Sequence, residues 1–332
     1  MKAMVIEKYG QTSLQLTDKP MPTVGDYDVL AEIHASSINP IDIKVRDGKA
    51  RMLLKYDMPL ILGNDFSGVI VQVGKKVNQF KQGDEIYGRP RKSRIGTFAE
   101  FISVHEDDIA LKPKNLSFEE AASIPLVGLT SYQALHDVLQ LSAGQKVLIQ
   151  AGSGGVGTFA IQLAKAMGIY VAATTSEAGI ALVQSLGADQ IINYRKEEFD
   201  QVLHHYDGVY DTIGGETLEK AFKIVKPGGQ IVSVTGWPNA RFGKAYGAGF
   251  IKTTIFRLIS RKLTKLEEKH NVKYNFLFMK PSGKQLEIIS ELIESGKIKP
   301  VIDKIFSFAD TQKAIEYAEK GRAKGKVIVK MK

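Results

Sequence analysis

Three glycines spaced as Gly152-x-Gly154-x-x-Gly157 lie in VLIQAGSGGVGTFAIQLAKAMG, residues 147–168. The apolar run Val147–Gln150 precedes them and reads as a strand, and Gly157–Met167 follows with helical spacing. Glycine at such a turn lets the backbone reverse sharply and lets a pyrophosphate approach without a Cβ in the way. The last glycine lets helix and strand pack closely, and the free N–H groups at the helix start attract negative charge. A lone motif of this kind is weak, but here it opens an alternating series. Tyr170–Thr174 is strand-like, Ile180–Leu186 helical, Gln190–Asn193 and Gly208–Asp211 extended. Leu218–Val225 reads as a helix stopped by Pro227-Gly228-Gly229, with the strand Ile231–Val234 after it. That alternation predicts parallel βαβ units and a doubly wound sheet, an α/β fold holding a dinucleotide. Methyltransferases share similar glycine loops, so the motif alone does not select a nicotinamide.

The 332 residues exceed one typical domain of about 150, so a second domain is expected. Residues 1–125 supply it, with short apolar runs (Ala3–Ile6, Val29–Ile33, Gly68–Val73, Phe98–Val104) broken by turn residues such as Gly63-Asn64 and Gly83-Asp84. Helices are expected over Gln285–Ile293 and Ala314–Glu319, and a strand over Lys326–Val329. The absence of cysteine excludes disulfides, iron–sulfur clusters, thiolate zinc sites and cysteine nucleophiles together. The six histidines show no ligand spacing. No stretch approaches the roughly 20 apolar residues of a membrane span, and the N-terminus lacks a secretory apolar core, so a cytoplasmic location is expected.

The net charge of +9 suits an anionic partner or simply a solvated basic face. Within it, Ile251–Leu266 reads as one amphipathic helix with Ile251, Ile255, Leu258, Ile259, Leu263 and Leu266 near one face. The expectation is that this stripe packs on the body of the protein and that Arg257, Arg261, Lys262 and Lys265 are solvated.

The end of the second strand of the alternating region decides between the two nicotinamide cofactors. An acid there would bond a ribose 2′-OH and repel a 2′-phosphate. The chain reads Thr174-Thr175-Ser176, neutral hydroxyls that favour NADP(H), with Glu177 twenty residues beyond Gly157 as the complicating carboxylate. Tyr194 and Arg195 could flank the phosphate or adenine.

HASSINPIDIKVRDG (34–48), LGNDFSGVIVQVG (62–74), GDEIYG (83–88), PLVGLTSYQAL (125–135), LGADQIINY (186–194), KPGGQIVSV (226–234) and GKVIV (325–329) follow one another along the chain. Together with the glycine segment, this ordered set resembles the medium-chain dehydrogenase/reductase superfamily, in its zinc-independent quinone oxidoreductase (zeta-crystallin-like) branch. The resemblance implies a GroES-like β-rich catalytic domain from residues 1–125 and 282–332, and a Rossmann NADP-binding domain from 126–281. The superfamily's zinc alcohol dehydrogenases carry a Cys in the segment matching 34–42, a His-Glu pair where this chain has Asn64-Asp65, and a four-Cys lobe. None of these is present, so no metal site is expected and zinc polarisation of an alcohol is disfavoured.

Hydride transfer from NADPH to a quinone or another α,β-unsaturated carbonyl is what the resemblance then implies, because conjugation spreads the incoming charge. Catalytic roles are implied for Asn39, Asp42 and Lys44; the family pattern often has Tyr where Lys44 stands. Cofactor contacts are implied for Thr130, Gly152, Ser153, Gly154, Gly155, Val156, Gly157, Thr175, Ser176, Tyr194, Ile213, Gly214, Thr235, Gly236 and Trp237. The family's Lys or Arg clasp four residues after Ser176 is replaced by Ile180, so Arg195, Lys324 or Lys326 would compensate. A homodimer with a small electrophilic acceptor is the expected assembly. A 2-alkenal or enoyl reductase on the same scaffold and a non-catalytic NADPH- and RNA-binding crystallin-like protein are the contrasting readings. No aromatic-basic RNA motif supports the last, and no nucleic acid partner is expected.

Overall fold

A computed structural model describes all 332 residues, which form two compact units: Met1–Leu129 with Lys280–Lys332, and Thr130–Met279. In chain order the first unit contains β1 (Lys2–Ile6), β2 (Gln15–Asp18), β3 (Asp28–Ile38), β4 (Leu60–Ile61), β5 (Phe66–Val73), β6 (Glu85–Gly88), β7 (Phe101–His105) and β8 (Ile109–Leu111). The second contains β9 (Lys146–Ile149), β10 (Tyr170–Thr175), β11 (Gln190–Asn193), β12 (Tyr206–Asp211), β13 (Val225–Ser233) and β14 (Lys273–Phe276). The chain then returns to the first unit for β15 (Ile302–Ser307) and β16 (Lys326–Lys330).

The first unit is built on β3, eleven residues whose alternate apolar side chains Val29, Ala31 and Ile33 pack with Phe66, Ile70, Ile86, Ile102 and Val104. It pairs antiparallel with β5, β7 and β16, so the C-terminal strand joins the sheet beside the N-terminal ones. A separate three-stranded antiparallel sheet runs β2-β1-β4. The C-terminal return is bolted down at two points. The buried Tyr87 hydroxyl on β6 donates to the carbonyl of Leu286, 2.7 Å away in the helix Gly283–Glu294. The buried Arg46 guanidinium contacts both oxygens of Glu319, at 2.6 and 3.3 Å.

The second unit carries a six-stranded, all-parallel sheet ordered β11-β10-β9-β12-β13-β14. The first strand of this unit is thus central, and the order reverses between β9 and β12. Such a switch point opens a crevice at the carboxyl ends of the strands. Leu148, Ala172, Val209 and Ile231 from four of these strands join one core with Phe199, Phe222 and Tyr274. No helix is long and apolar enough to cross a membrane.

Two expectations from sequence need correction. The helix read over Leu218–Val225 spans Gly215–Ala221, and Val225 already belongs to β13, which runs through Pro227-Gly228-Gly229. Pairing of β13 with β12 outweighs the local breakers, which are absorbed by a register shift between Tyr206 and Gly208. The amphipathic stretch Ile251–Leu266 is two helices, Gly249–Ile259 and Arg261–His270, divided at Ser260. Leu263 alone of its stripe is fully buried; Leu266 packs beside it, while Ile251, Ile255 and Leu258 face solvent.

Tyr87→Phe removes a fully buried donor and leaves Ser290 and the Leu286 carbonyl without it. The expected cost is about 1–2 kcal/mol of unfolding free energy by urea titration; an unchanged midpoint would show that the bolt carries no stability.

Candidate functional site

The candidate nucleotide cradle of the second unit starts where β9 ends. Ala151 takes a left-handed backbone (φ 52°), and the chain turns through Gly152, Ser153 and Gly154 into the helix Gly155–Ala166. A Cβ on Gly157 would lie 2.3 Å from the Ala151 carbonyl oxygen and 2.6 Å from the Gly152 Cα, so only glycine allows helix and turn to cross here. A Cβ on Gly154 would meet nothing closer than 3.4 Å, so packing within the chain does not demand glycine there. No side chain caps the helix and its first turn carries no acid. The amides there are left to an anion, and Ser153 through Val156 are partly exposed around them.

At the end of β10, Thr174 Oγ1 accepts from the Ala151 amide at 3.1 Å, and Thr175 Oγ1 donates to Ser153 Oγ at 3.0 Å. The Thr175 hydroxyl, expected to contact the cofactor, thus also locks the glycine turn together with that of Thr174. Ser176 follows, partly exposed, at the start of the short turn of helix Glu177–Gly179. The Glu177 carboxylate is held by Lys196 at 2.6 Å and Asn193 Nδ2 at 2.8 Å, and the Lys196 ammonium keeps its pKa low. Tyr194 is exposed with the Arg195 guanidinium 5.9 Å from its ring centre. Thr130 is buried in this unit.

Asp211, at the carboxyl end of β12, organises the far side of the same sheet edge and was read from sequence only as part of a strand. Its buried carboxylate accepts from the amides of Ile213 (3.1 Å) and Gly214 (2.8 Å) and from the hydroxyls of Ser233 and Thr235. Ser233 Oγ in turn accepts from the amides of Thr235 and Gly236. Burial raises the Asp211 pKa, and these donors oppose the rise. One carboxylate thus shapes both the Ile213-Gly214 and the Thr235-Gly236 turns. Ile213, Thr235 and Trp237 are exposed beside them. The signal in the sequence was an acid closing an apolar strand just before a Gly-Gly turn.

The first unit gathers its candidate residues into a buried polar network. Asn39 starts the helix Pro40–Arg46, and Asp42 Oδ2 reaches back to the Asn39 amide at 2.7 Å. The Asn39 side chain turns inward: Oδ1 accepts from Lys326 Nζ, and Nδ2 donates to Asp65 Oδ2 at 2.9 Å and to the Ser37 carbonyl at 3.2 Å. Asp65 also accepts from Ser37 Oγ (2.6 Å) and the Leu126 amide (2.7 Å), with Lys326 Nζ at 3.5 Å. Asn64 Nδ2 donates to Asp42 Oδ1 at 2.7 Å, and Asn64 Oδ1 accepts from the buried Arg89 at 3.2 Å. Lys326, Asp65, Asp42 and Arg89 are all buried. Burial pushes the Asp42 carboxyl up to about 7. It also lowers the Lys326 pKa, while Asp65 and Asp42 favour its charged form.

The structure therefore brings Asn39 and Asp42 together and leaves Lys44 exposed on the same helix. Lys326 lies inside the first unit against Asn39, so it is not free to clasp a phosphate as the sequence suggested. Lys324 is exposed, with its amide on Asp303. No group of three or more His, Asp and Glu side chains could hold a metal ion.

Residues 25–114 match the alcohol dehydrogenase GroES-like domain family, and residues 186–329 the zinc-binding dehydrogenase family. The mitochondrial NAD(P)H oxidoreductase RTN4IP1 of Danio rerio is 37% identical, covering 99% of this chain and 91% of its own length. The chain belongs to the medium-chain dehydrogenase/reductase superfamily. This oxidoreductase is also 35% identical to the chloroplastic NADPH-dependent alkenal/one oxidoreductase of Arabidopsis thaliana, over 99% of the chain and 79% of that protein. Among solved structures, the quinone oxidoreductase of Coxiella burnetii superimposes with a TM-score of 0.87 at 32% identity, covering 100% and 99% of the two chains. The GroES-like and Rossmann architecture expected from sequence is thus the one observed.

Lys326→Met leaves Asp65 buried without its cation, and a loss of about 3–5 kcal/mol of stability is expected by urea unfolding. Adding Asp65→Asn should return part of it; additive losses in that cycle would mean the two do not interact. Asp42 gives a pH signature. Unfolded it titrates near 3.9, folded at about 7, so the native state holds the extra proton between these values. Its contribution is full below about pH 4, falls by about 1.4 kcal/mol per unit to about pH 7, and is flat above. Asp42→Asn should remove that decline from the stability profile; an identical slope in the variant would contradict the assignment.

Proposed function

We propose that this oxidoreductase reduces conjugated acceptors, quinones or α,β-unsaturated carbonyls, at the expense of NADPH. The observation that carries the reading is the end of β10. There the neutral Thr174, Thr175 and Ser176 stand where a ribose-binding acid would be, and the nearest carboxylate, Glu177, is occupied by Lys196 and Asn193. The chain binds NADP(H), in keeping with its NADPH-dependent relative. The first-turn amides of the Gly155–Ala166 helix receive the pyrophosphate, Ser176 with Arg195 and Tyr194 flanks the 2′-phosphate, and the turns held by Asp211 orient the nicotinamide.

When bound, NADPH supplies the hydride. The protein's part is to hold donor and acceptor in line and to favour the charge that develops on the acceptor oxygen. A conjugated acceptor spreads that charge over its π-system, which suits a chain without cysteine whose Asn64 and Asp65 are spent on internal hydrogen bonds. Within the Asn39–Lys44 segment we assign Asn39 and Asp42 to positioning, because every polar atom of their side chains is engaged inside the network. Lys44, exposed and with a full complement of donors, is the residue of this segment suited to an anionic oxygen.

The test is NADPH and NADH oxidation with a panel of quinones, enals and enones. NADPH should be preferred by more than about tenfold in kcat/KM, a difference of about 1.4 kcal/mol. Ser176→Asp should weaken NADPH use by at least that factor while sparing NADH, since a carboxylate repels the 2′-phosphate. No turnover with any acceptor, or a preference for NADH, would overturn the proposal. The ratio of kcat/KM for quinones to that for enals selects between the two acceptor classes.

A further inference from the structure

The Gly249–Ile259 helix exposes an apolar face that holds none of the residues assigned above to cofactor or acceptor. Phe250 is 86% exposed, Ile251 75%, Leu258 62% and Ile255 41%. At about 100° per residue these four fall on one side of the helix. The opposite side is anchored: Phe256 is fully buried, with its ring 6.0 Å from Phe242. The face is therefore a fixed ridge on the second unit, where a chain acting alone would place polar residues.

The charge around it is one-sided. Residues 241–270 hold eight Lys and Arg against two Glu, so this short stretch carries six of the nine surplus positive charges of the whole chain. Arg241 and Lys262 are paired with Glu267 and Glu219, whereas Arg257, Arg261, Lys265 and Lys269 have no carboxylate partner. On the helix Arg257 borders the apolar ridge, and Arg261 follows directly after the break at Ser260.

We propose that this ridge and its cations form a docking surface for an anionic lipid bilayer, with Phe250, Ile251 and Leu258 entering the acyl boundary and the basic groups meeting headgroup phosphates. An apolar face bordered by Lys and Arg has the composition of an interfacial helix, and cations near such a surface are drawn to its anionic headgroups. A second copy of the chain fits less well, because a two-fold contact would bring six surplus positive charges against six. A nucleic acid would satisfy the cations but leave Ile251, Ile255 and Leu258 facing phosphate and water.

The experiment is co-sedimentation of the full chain with vesicles of phosphatidylcholine alone and of phosphatidylcholine with phosphatidylglycerol. The wild type should bind the anionic vesicles, release them as salt is raised, and bind the neutral ones weakly. The variant Phe250→Ser/Ile251→Ser/Leu258→Ser, altered only at exposed positions, should keep the wild-type thermal midpoint and lose at least about tenfold in vesicle affinity. Arg257→Glu/Arg261→Glu should remove the preference for anionic lipid, and Phe250→Ser alone should show a partial loss should the triple variant misfold. Absence of wild-type binding, or retention of full binding by the folded triple variant, would overturn the proposal. So would a dimer that the triple variant converts to monomer without change in vesicle binding, or RNA binding lost in that variant in place of lipid binding. None of these readouts involves turnover, so failure here and failure of the acceptor assignment are separately visible.

Discussion

The Lys326 ammonium, buried between Asn39 and Asp65, is the contact on which the first unit's candidate site depends. Lys326 lies 287 residues beyond Asn39 in sequence, and only the insertion of β16 between β15 and β3 brings them together. Burying two opposite charges costs several kcal/mol per ion before any return, so such a pair persists where hydrogen bonds satisfy the remaining atoms. Asp65 meets that demand with donors from Ser37, Asn39, Leu126 and Lys326. The consequence is geometric. The Asn39 amide is gripped at both ends, Asp42 grips its backbone, and the helix carrying Lys44 starts from a fixed point. Where the superfamily's zinc enzymes have His-Glu, this chain has Asn64-Asp65, and the positive charge set against Asp65 is a lysine side chain.

The second unit relies on a parallel device of opposite polarity. A single buried carboxylate, Asp211, orders two turns at the carboxyl end of the sheet, while the uncapped Gly155–Ala166 helix presents amides at the same edge. Fixed dipoles of this kind bind an anionic cofactor without reorganising, which is the condition for aligning a hydride donor.

How much of this was legible in the sequence follows from the range of each interaction. The glycine turn was readable because its requirement is local: Gly157 has no room for a Cβ between Ala151 and Gly152. The neutral end of β10 was readable for the same reason. The helix expected over Leu218–Val225 failed because β13 pairing runs through a Pro-Gly-Gly that local rules treat as a stop. The stripe over Ile251–Leu266 misled because helical period reports that a face is apolar, not that anything covers it. Lys326 stood among three candidate phosphate clasps and Asp211 read as a plain strand residue because their partners lie far along the chain, at Asn39 and Asp65 for one and at Ser233 and Thr235 for the other.

The most direct measurement is proton–nitrogen correlation NMR of the lysine ammonium groups at pH 6, where exposed lysines exchange with water too fast to be seen. A buried, hydrogen-bonded Lys326 predicts a protected ammonium resonance, beside that of the buried Lys112 on the Pro113 and Leu116 carbonyls, that disappears in Asn39→Ala. Absence of the Lys326 resonance, or its survival in that variant, would contradict the dry ion pair on which the site is built.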